Sequence, residues 1–294
     1  MLAYSLYAAL LRLSRHSPER GVTAGRPAIA ERLKLKKSDA KSRCQVGILN
    51  VIYYFWDRFS DFSHENRLKR SSERLHIMTD TLSREIPIVP QRSALLYIDV
   101  QNYNARPDGG EYKNQGLTTQ EAEIRHVYFF KRLKEVAIPN MQRLQQSCRA
   151  KGIEVMYTII ESLTKDGRDR SLDYKITGFN VPKGSWDAQV LDQIKPLDDE
   201  IVFPKTSSSV FISTNIHYIL GNLGVEFLII SGLLTDQCIS SAVRDACDLG
   251  YLVTLITDAC ATYSEVRHKT SISHIKGYCR QRTTDAFLQE LDRL

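Results

Sequence analysis

The sequence predicts an α/β protein of three layers, in which a mostly parallel β-sheet lies between two layers of helices. After residue 85, short apolar runs alternate with longer segments of helical period, an order typical of a parallel sheet covered on both faces. The apolar runs are continuous, as expected of strands that are buried on both sides. Ligands of such sheets bind beyond the carboxyl ends of the strands, so functional residues are expected at those ends.

Five segments are predicted to be strands of this sheet. The clearest reads ALLYIDV, an apolar run that ends near an aspartate, and FLIIS is a second buried strand. The predicted strands cover residues 94–100, 154–160, 201–203, 227–231 and 252–256.

Helices are predicted between these strands from apolar spacing and from boundary residues. Pro139 is expected to begin the second part of a long helical segment, and Gly152, Gly224 and Gly250 are expected to end helices. The helical segments cover residues 121–150, 186–194, 214–223 and 237–249, and most of the chain after residue 256. In segment 237–249 one face carries the apolar residues Ile239, Ala242, Val243, Ala246 and Leu249.

The first 77 residues differ in composition from the rest of the chain. Residues 1–43 contain ten basic side chains and three acidic ones, so the net charge of +6 arises largely from this segment. We therefore predict a basic N-terminal extension at residues 1–77, poorly ordered or partly helical, followed by an α/β domain at residues 78–294. Met78 is itself a candidate start of translation. Because the basic excess is local, binding of nucleic acid is not predicted.

A membrane span is not predicted. The apolar run at residues 2–13 is too short to cross a bilayer, and it lacks the basic start and the cleavage site of a secretory signal. The six cysteines form no CxxC pair and show no zinc-ligand spacing, so a reducing compartment is the simpler interpretation. A cytoplasmic location is predicted, with a mitochondrial one as the alternative if residues 1–77 are a transit segment.

Three reactive side chains stand at the ends of three predicted strands. Asp99 closes the first strand, Lys205 follows strand 201–203, and Cys238 opens the helix after FLIIS. Each alone has an ordinary alternative, namely a helix cap, a solvated lysine and a buried cysteine. Their placement along one edge of the sheet makes a shared site the stronger interpretation.

The chemistry expected of this set is nucleophilic catalysis by the thiol. A helix N-terminus and a neighbouring ammonium group are expected to lower the pKa of Cys238. The carboxylate of Asp99 is a candidate to take the thiol proton and later deliver it to a leaving amine. Backbone N–H groups of the turn before Cys238 are candidates to hold the oxyanion of a tetrahedral intermediate.

Three segments resemble, in order and spacing, the signature segments of the isochorismatase-like cysteine hydrolases. They read LLYIDVQN, IVFPKTSSSVF and IISGLLTDQCISSAVRDACDLGY, and the resemblance covers about residues 90–290. The most specific part is the G-x-x-T-x-x-C turn that ends at Cys238. The family includes nicotinamidases, N-carbamoylsarcosine amidases, and ureidoacrylate or biuret hydrolases. The resemblance implies the isochorismatase-like hydrolase fold.

The resemblance also implies a role for each residue of the set. Asp99 matches the general base, Lys205 the lysine of the triad, and Cys238 the nucleophile. The cis peptide of the family maps to the bond between Leu233 and Leu234, and the N–H groups of Leu234 and Cys238 would form the oxyanion hole. The implied reaction is attack on an amide carbonyl, loss of ammonia or an amine, and hydrolysis of the thioester by water.

The substrate implied by the resemblance is a small amide or ureide. Residues 183–187 read KGSWD and resemble a segment of ureidoacrylate-type hydrolases, so a ureidoacrylate-type substrate is favoured. Candidate residues for binding it are Asn102, Glu161, Phe179, Trp186, Phe211 and Gln237. Glu161 and Gln237 are candidates to bind the ureide or amide group, whereas Trp186 could equally be a core aromatic residue that heads a helix.

No cofactor and no metal site is predicted. The metal site of nicotinamidases includes an Asp-x-His motif and a histidine before the triad lysine. Here no Asp-x-His occurs, and no histidine lies between His126 and Lys205. Isochorismatases proper lack the nucleophilic cysteine, so Cys238 argues against cleavage of a vinyl ether.

Two alternatives stay open. One is a non-catalytic member of the family that acts as a binding or scaffold protein, which the complete set of Asp99, Lys205 and Cys238 disfavours. The other is an isochorismatase-type ether hydrolase. By resemblance, the expected partners are a small-molecule substrate and further copies of the chain in a homo-oligomer, with no nucleic acid and no membrane.

Overall fold

The computed structural model of the chain describes residues 83–294. The predicted extension at residues 1–77 and the candidate start Met78 therefore lie outside the described residues. Within residues 83–294, no helix has the length and apolar character that a membrane crossing needs.

A six-stranded sheet forms the centre of the described region. Its strands are β1 (Ser93–Ile98), β2 (Glu154–Ile160), β3 (Val202–Lys205), β4 (Phe227–Leu233), β5 (Leu252–Ala261) and β6 (Arg280–Arg282). The strands lie in the order β3-β2-β1-β4-β5-β6, and every neighbouring pair is parallel. The five predicted strands are confirmed. The strand β6 is an addition, because it falls in a stretch that was predicted to be mostly helical.

Helices connect the strands. In the described part of the chain they are α1 (Asn102–Ala105), α2 (Gly110–Lys113), α3 (Thr119–Arg125), α4 (Val127–Arg132), α5 (Ile138–Ala150), α6 (Leu172–Thr177), α7 (Val210–Ser213), α8 (Ile216–Asn222), α9 (Cys238–Asp248), α10 (Glu265–Ile275) and α11 (Thr284–Asp292). A π-helical turn joins α4 to α5, and Pro139 lies in the first turn of α5 as predicted. Two separate 3₁₀ turns replace the single short helix predicted at residues 186–194.

Each face of the sheet packs into its own hydrophobic cluster. Side chains alternate along β1, so Leu95 and Tyr97 belong to one cluster, whereas Leu96 and Ile98 belong to the other. The first cluster includes residues of α5 and α11, and the second includes residues of α8, α9 and α10. The predicted three-layer arrangement is therefore confirmed.

The helix α9 has the apolar face that its sequence predicts, with one correction. Its buried residues include Ile239, Ala242, Val243 and Ala246. Leu249, which was predicted to share this face, lies at the C-cap and is 43% exposed. The helix therefore packs on the sheet through its first two and a half turns, and its C-terminal end leaves the core.

The order of the strands places a crevice beside β1. The chain runs outward from β1 through β2 to β3 and then crosses back to β4 on the other side of β1. The carboxyl ends of β1 and β4 therefore border a point where the strand order reverses. Parallel sheets bind ligands at such points.

Candidate active site

The three side chains predicted as a set meet at the carboxyl edge of the sheet. The Nζ atom of Lys205 lies 2.8 Å from Oδ2 of Asp99 and 3.4 Å from Sγ of Cys238. Asp99 and Lys205 are fully buried, and Cys238 is 6% exposed. A carboxyl group, an ammonium group and a thiol from distant parts of the chain therefore share one buried contact.

The position of Asp99 is fixed by the neighbouring strand β2. Asp99 follows β1 with a φ of +55°, in the left-handed region that few non-glycine residues adopt. Its N–H donates to the carbonyl of Thr158, and the hydroxyl of Thr158 donates to Oδ1 at 2.7 Å. One carboxylate oxygen is thus held by Thr158, while Oδ2 lies next to Lys205.

The ammonium group of Lys205, the last residue of β3, is bonded to several other groups of the protein. Besides its contact with Asp99, Nζ donates to the hydroxyl of Tyr174 at 3.1 Å and to the carbonyl of Ser207 at 2.8 Å. Burial is the largest single effect and lowers the pKa of Lys205, but Asp99, Cys238 and Tyr174 together outweigh it and raise that pKa well above its ordinary value. Lys205 is therefore charged at neutral pH.

The turn before Cys238 depends on a close approach between β4 and β1. Gly232 has a φ of +128°, and a Cβ atom there would stand 2.3 Å from the carbonyl oxygen of Ile98. Only glycine fits this position without a shift of the backbone. The approach brings the loop that carries Cys238 next to the end of β1, where Asp99 stands.

The resting state of Cys238 differs from the sequence expectation. Burial raises the pKa of the Cys238 thiol to about 12, because the effect of the Lys205 ammonium, which lowers it, is smaller. The carboxylate of Asp99 adds to the rise. The prediction that this pKa is lowered is therefore wrong. At neutral pH Cys238 is a thiol, and a base is needed to convert it to a thiolate.

Two backbone N–H groups beside Cys238 are free. The Leu233–Leu234 peptide is cis, as the resemblance implied. Among residues 83–294, no acceptor takes the N–H of Leu234 or that of Cys238. The N-terminus of α9 also has no side-chain cap. These groups are available to bind an oxygen.

The loop between Leu234 and Cys238 is anchored through Thr235. Its N–H donates to the carbonyl of Ala261, and its hydroxyl lies 2.9 Å from Nδ1 of His268. The other ring nitrogen of His268 lies 2.9 Å from the guanidinium of Arg132, which can only donate. Nδ1 therefore carries the proton and donates to Thr235. Burial, together with the charge of Arg132, lowers the pKa of His268 to about 4.

A cavity of about 280 Å³ opens beside Cys238. Its lining includes Asp99, Leu234 and Cys238, and also Phe179 and Gln237 from the predicted set of binding residues. The ring of Phe179 stacks on Tyr174, with 5.2 Å between the ring centroids. These two predicted binding residues therefore line the same cavity as Cys238.

Asn102, Glu161 and Trp186 lie outside this lining; the first two contact the KGSWD segment, to which Trp186 belongs. The side-chain amide of Asn102 donates to the carbonyl of Trp186 at 2.9 Å, and Oε1 of Glu161 accepts the N–H of Gly184 at 2.7 Å. The ring of Trp186 is 42% exposed and lies 5.6 Å from the guanidinium of Arg106. These residues therefore lie outside the cavity lining, and their part in binding a substrate stays a prediction.

Phe211 is also outside the cavity lining. It packs against the cluster formed by α8, α9 and α10, with its ring centroid 6.0 Å from that of Tyr251. Its position favours a packing role.

Seven residues that line the cavity were missed from the sequence. Three of them are Asn104, Glu111 and Tyr174, on the short helices α1, α2 and α6, and the others are Ile160, Asp173, Thr177 and Ser208. Helices of four to six residues have no apolar period, so the sequence has no signal for their orientation. Burial raises the pKa of Glu111 to about 7, while the hydroxyl of Tyr263, which donates to Oε1, lowers it.

No group of three or more histidine, cysteine, aspartate or glutamate side chains in residues 83–294 could hold a metal ion.

Comparison with known proteins shows which family this sequence matches. The family model described as the isochorismatase domain matches residues 93–286. N-Carbamoylsarcosine amidase from Arthrobacter sp. is 31% identical over 165 residues, which cover 54% of this chain and 56% of that protein. Ureidoacrylate amidohydrolase from Rhizobium rhizogenes is 27% identical over 191 residues, which cover 59% of this chain and 72% of that protein. The chain thus spans little more than half the length of the first relative.

Solved structures share the fold. A cysteine hydrolase from Pseudomonas syringae pv. phaseolicola has a TM-score of 0.58 and 20% identity, covering 74% of this chain and 99% of its own. An isochorismatase-like hydrolase from Alkaliphilus metalliredigens has a TM-score of 0.52 and 21% identity, covering 67% of this chain and 98% of its own.

Proposed function

Because the chain belongs to the isochorismatase domain family, we propose that it is a cysteine-dependent hydrolase of a small amide or ureide C–N bond. The observation that carries the proposal is the buried contact of Lys205 with both Asp99 and Cys238 at the edge of a cavity. The names of the two curated relatives, an amidase and an amidohydrolase, support the reaction class.

In the proposed reaction Asp99 is the base and Cys238 the nucleophile. Asp99 takes the proton of the thiol, and Sγ attacks the carbonyl carbon of the substrate. The N–H groups of Leu234 and Cys238 bind the resulting oxyanion. Asp99 returns the proton to the leaving nitrogen, so that ammonia or an amine departs and a thioester remains. Water, deprotonated by Asp99, then hydrolyses the thioester and restores the thiol. Lys205 stays protonated and compensates the negative charge throughout.

The size of the cavity favours a small substrate. Its volume of about 280 Å³ lies just below the range for ligand pockets, about 300–1,000 Å³. The KGSWD segment favours a ureidoacrylate-type ureide by resemblance. Its role is indirect, because this segment lies outside the cavity lining and is held by Asn102 and Glu161.

The proposal is tested by measuring ammonia release by the full chain from ureidoacrylate, biuret, N-carbamoylsarcosine and nicotinamide. Cys238→Ala and Asp99→Asn are expected to lower kcat/KM on the order of a thousandfold or more. Lys205→Ala is expected to do nearly the same, with a further loss of stability of about 3–5 kcal/mol because Asp99 is left as an unpaired buried charge. Thermal unfolding measured alongside separates lost chemistry from lost structure.

The matched control is Cys247→Ala, which removes a partly buried thiol from the same helix. It is expected to retain the activity. Turnover by a clean preparation of Cys238→Ala would remove the triad assignment. Failure to hydrolyse any of the four compounds would favour a scaffold protein, and activity on isochorismate retained in Cys238→Ser would favour an ether hydrolase.

A further inference from the structure

The cavity beside Cys238 contains polar groups that the proposed reaction does not use. Asn104 on α1 and Glu111 on α2 are 4% and 7% exposed, and both line the cavity together with Asp99 and Cys238. Among residues 83–294, Oδ1 of Asn104 and Oε2 of Glu111 have no hydrogen-bond partner. Buried acceptors are rarely left unpaired, so two in one cavity point to donors supplied by a ligand.

The charged side chains of this lining are all acidic. They are Asp99, Glu111 and Asp173, and no lysine, arginine or histidine from the described part of the chain lines the cavity. Lys205 contacts Asp99 and Cys238, but its three N–H bonds are taken up by Asp99, Tyr174 and Ser207. The lining therefore offers no cation to a carboxylate of the substrate.

Glu111 is not neutralised by an ion pair. Its Oε1 accepts a hydrogen bond from the hydroxyl of Tyr263. The guanidinium of Arg267 lies over the ring of Tyr263, but it is bound to Asp236 at 2.5 Å and does not line the cavity. A negative group of the substrate in this cavity would meet Glu111 and lose its hydration without compensation.

We propose that Asn104 and Glu111 make this site selective for ureides or amides that carry a second N–H-donating group and no carboxylate. The inference rests on the proposed hydrolysis and narrows its substrate. An amide, ureide or ammonium nitrogen satisfies the two free acceptors, whereas a carboxylate offers no donor and is repelled. The inference departs from the ureidoacrylate-type expectation, because ureidoacrylate carries a carboxylate.

The test uses two ligands that differ only in the group at issue, N-carbamoylglycine and N-carbamoylglycinamide. Their dissociation constants are measured by calorimetry with the full-length Cys238→Ser variant, which does not require turnover. The measurement is made at about pH 8, where Glu111 is ionised because its pKa is about 7. The amide is expected to bind at least about tenfold more tightly than the carboxylate.

Three further variants locate the source of this preference. Glu111→Gln keeps an acceptor for Tyr263 and removes the charge, so it is expected to bring the two affinities together, mainly by tighter binding of the carboxylate. Asn104→Asp adds a negative charge in a side chain of nearly the same size and shape, so it is expected to widen the preference for the amide over the carboxylate. The control Glu123→Gln removes an exposed carboxylate from α3 and is expected to change neither affinity.

Equal or tighter binding of the carboxylate overturns the inference, and so does a preference that Glu111→Gln leaves unchanged. The kinetics of the unaltered chain separate this inference from the proposed function. If the carboxylate ureide is hydrolysed through Cys238 with an equal or higher kcat/KM, the hydrolase stands and the selectivity fails. If the amide is preferred through Glu111 but no ureide is hydrolysed, the selectivity stands and the hydrolase fails.

Discussion

The protonation state of Cys238 decides how its reactivity is to be measured. Burial raises the pKa of this thiol to about 12, with opposing contributions from Lys205 and Asp99. A thiol with so high a pKa is alkylated slowly at neutral pH, whereas a thiol with a lowered pKa is alkylated fast. Slow alkylation of Cys238 is therefore compatible with its proposed role as the nucleophile. The useful observable is how the alkylation rate responds to the charge on each neighbour.

Alkylation of Cys238 is expected to change in opposite directions in two variants. Asp99→Asn removes a negative charge beside the thiol, which lowers its pKa and speeds the reaction with iodoacetamide at about pH 8. Lys205→Met removes a positive charge, which raises the pKa and slows it. Peptide mapping by mass spectrometry measures the rate at this site and separates it from the other cysteines. The expected result is that Asp99→Asn labels faster than the unaltered chain while its hydrolysis is lost.

A reversed outcome would contradict the opposing effects assigned to Asp99 and Lys205 on the pKa of Cys238. Faster labelling of Lys205→Met than of Asp99→Asn would mean that the two charges do not act on the thiol as their distances require. Cys238→Ala serves as the blank, since it lacks the labelled peptide.

At the scale of elements, the loop of residues 234–238 is supported from behind by β5 and α10. Thr235 is the contact on the loop, and His268 joins it to Arg132, which itself donates to the carbonyls of Cys260 and Thr257. The chain of contacts needs a neutral imidazole, because a protonated ring has no acceptor for the guanidinium. Acid is therefore expected to weaken this support by protonating His268.

Stability is expected to fall with acid because of His268. Its pKa in the folded chain is about 4, below the ordinary value of about 6.5. The contribution is fully present above about pH 6.5, and it is lost as the pH falls toward 4. Between about pH 7.5 and pH 5 the free energy of unfolding should drop by about 2 kcal/mol more in the unaltered chain than in His268→Gln. Urea unfolding at both pH values measures this difference.

His274 provides the control for this prediction. It is an exposed histidine on the same helix, α10. His274→Gln is expected to keep the pH dependence of the unaltered chain. The role given to His268 fails if His274→Gln and His268→Gln lose the same amount of pH dependence.

The sequence predicts those elements whose signal is local. Continuous apolar runs identify β1, β2 and β4. The three reactive side chains could be picked out because Asp99 and Lys205 stand at strand ends and Cys238 opens the helix after β4. β6 was missed because it reads RQR, and its Arg280 is buried through an ion pair with Glu290 on α11 and a hydrogen bond to Thr254 on β5. Asn104 and Glu111 were missed for a similar reason. Contacts with residues distant in the chain bury them, and no local sequence pattern indicates this burial.

At the scale of the whole molecule, residues between the predicted division at Met78 and strand β1 make contacts with the domain. Ile88 is 2% exposed within the cluster that includes α5 and α11, and its N–H lies 3.3 Å from Oε1 of Glu290. Glu85 forms an ion pair with Arg282 at 2.6 Å. The domain therefore begins before β1, and the predicted homo-oligomer is to be tested with this segment intact.

A chain of residues 78–294 is expected to match the full chain in kcat/KM and in its Cys238-dependent ammonia release. Such a chain keeps every contact described here, because these contacts lie within residues 83–294. A shorter chain of residues 91–294 loses Ile88 from the core and Glu85 from its ion pair. Its free energy of unfolding should therefore be about 2–3 kcal/mol lower. Urea unfolding and ammonia release on the two truncated chains and the full chain measure both effects. If residues 78–294 are as unstable as residues 91–294, or lose activity while folded, the extension contributes to the domain and the division at Met78 is wrong.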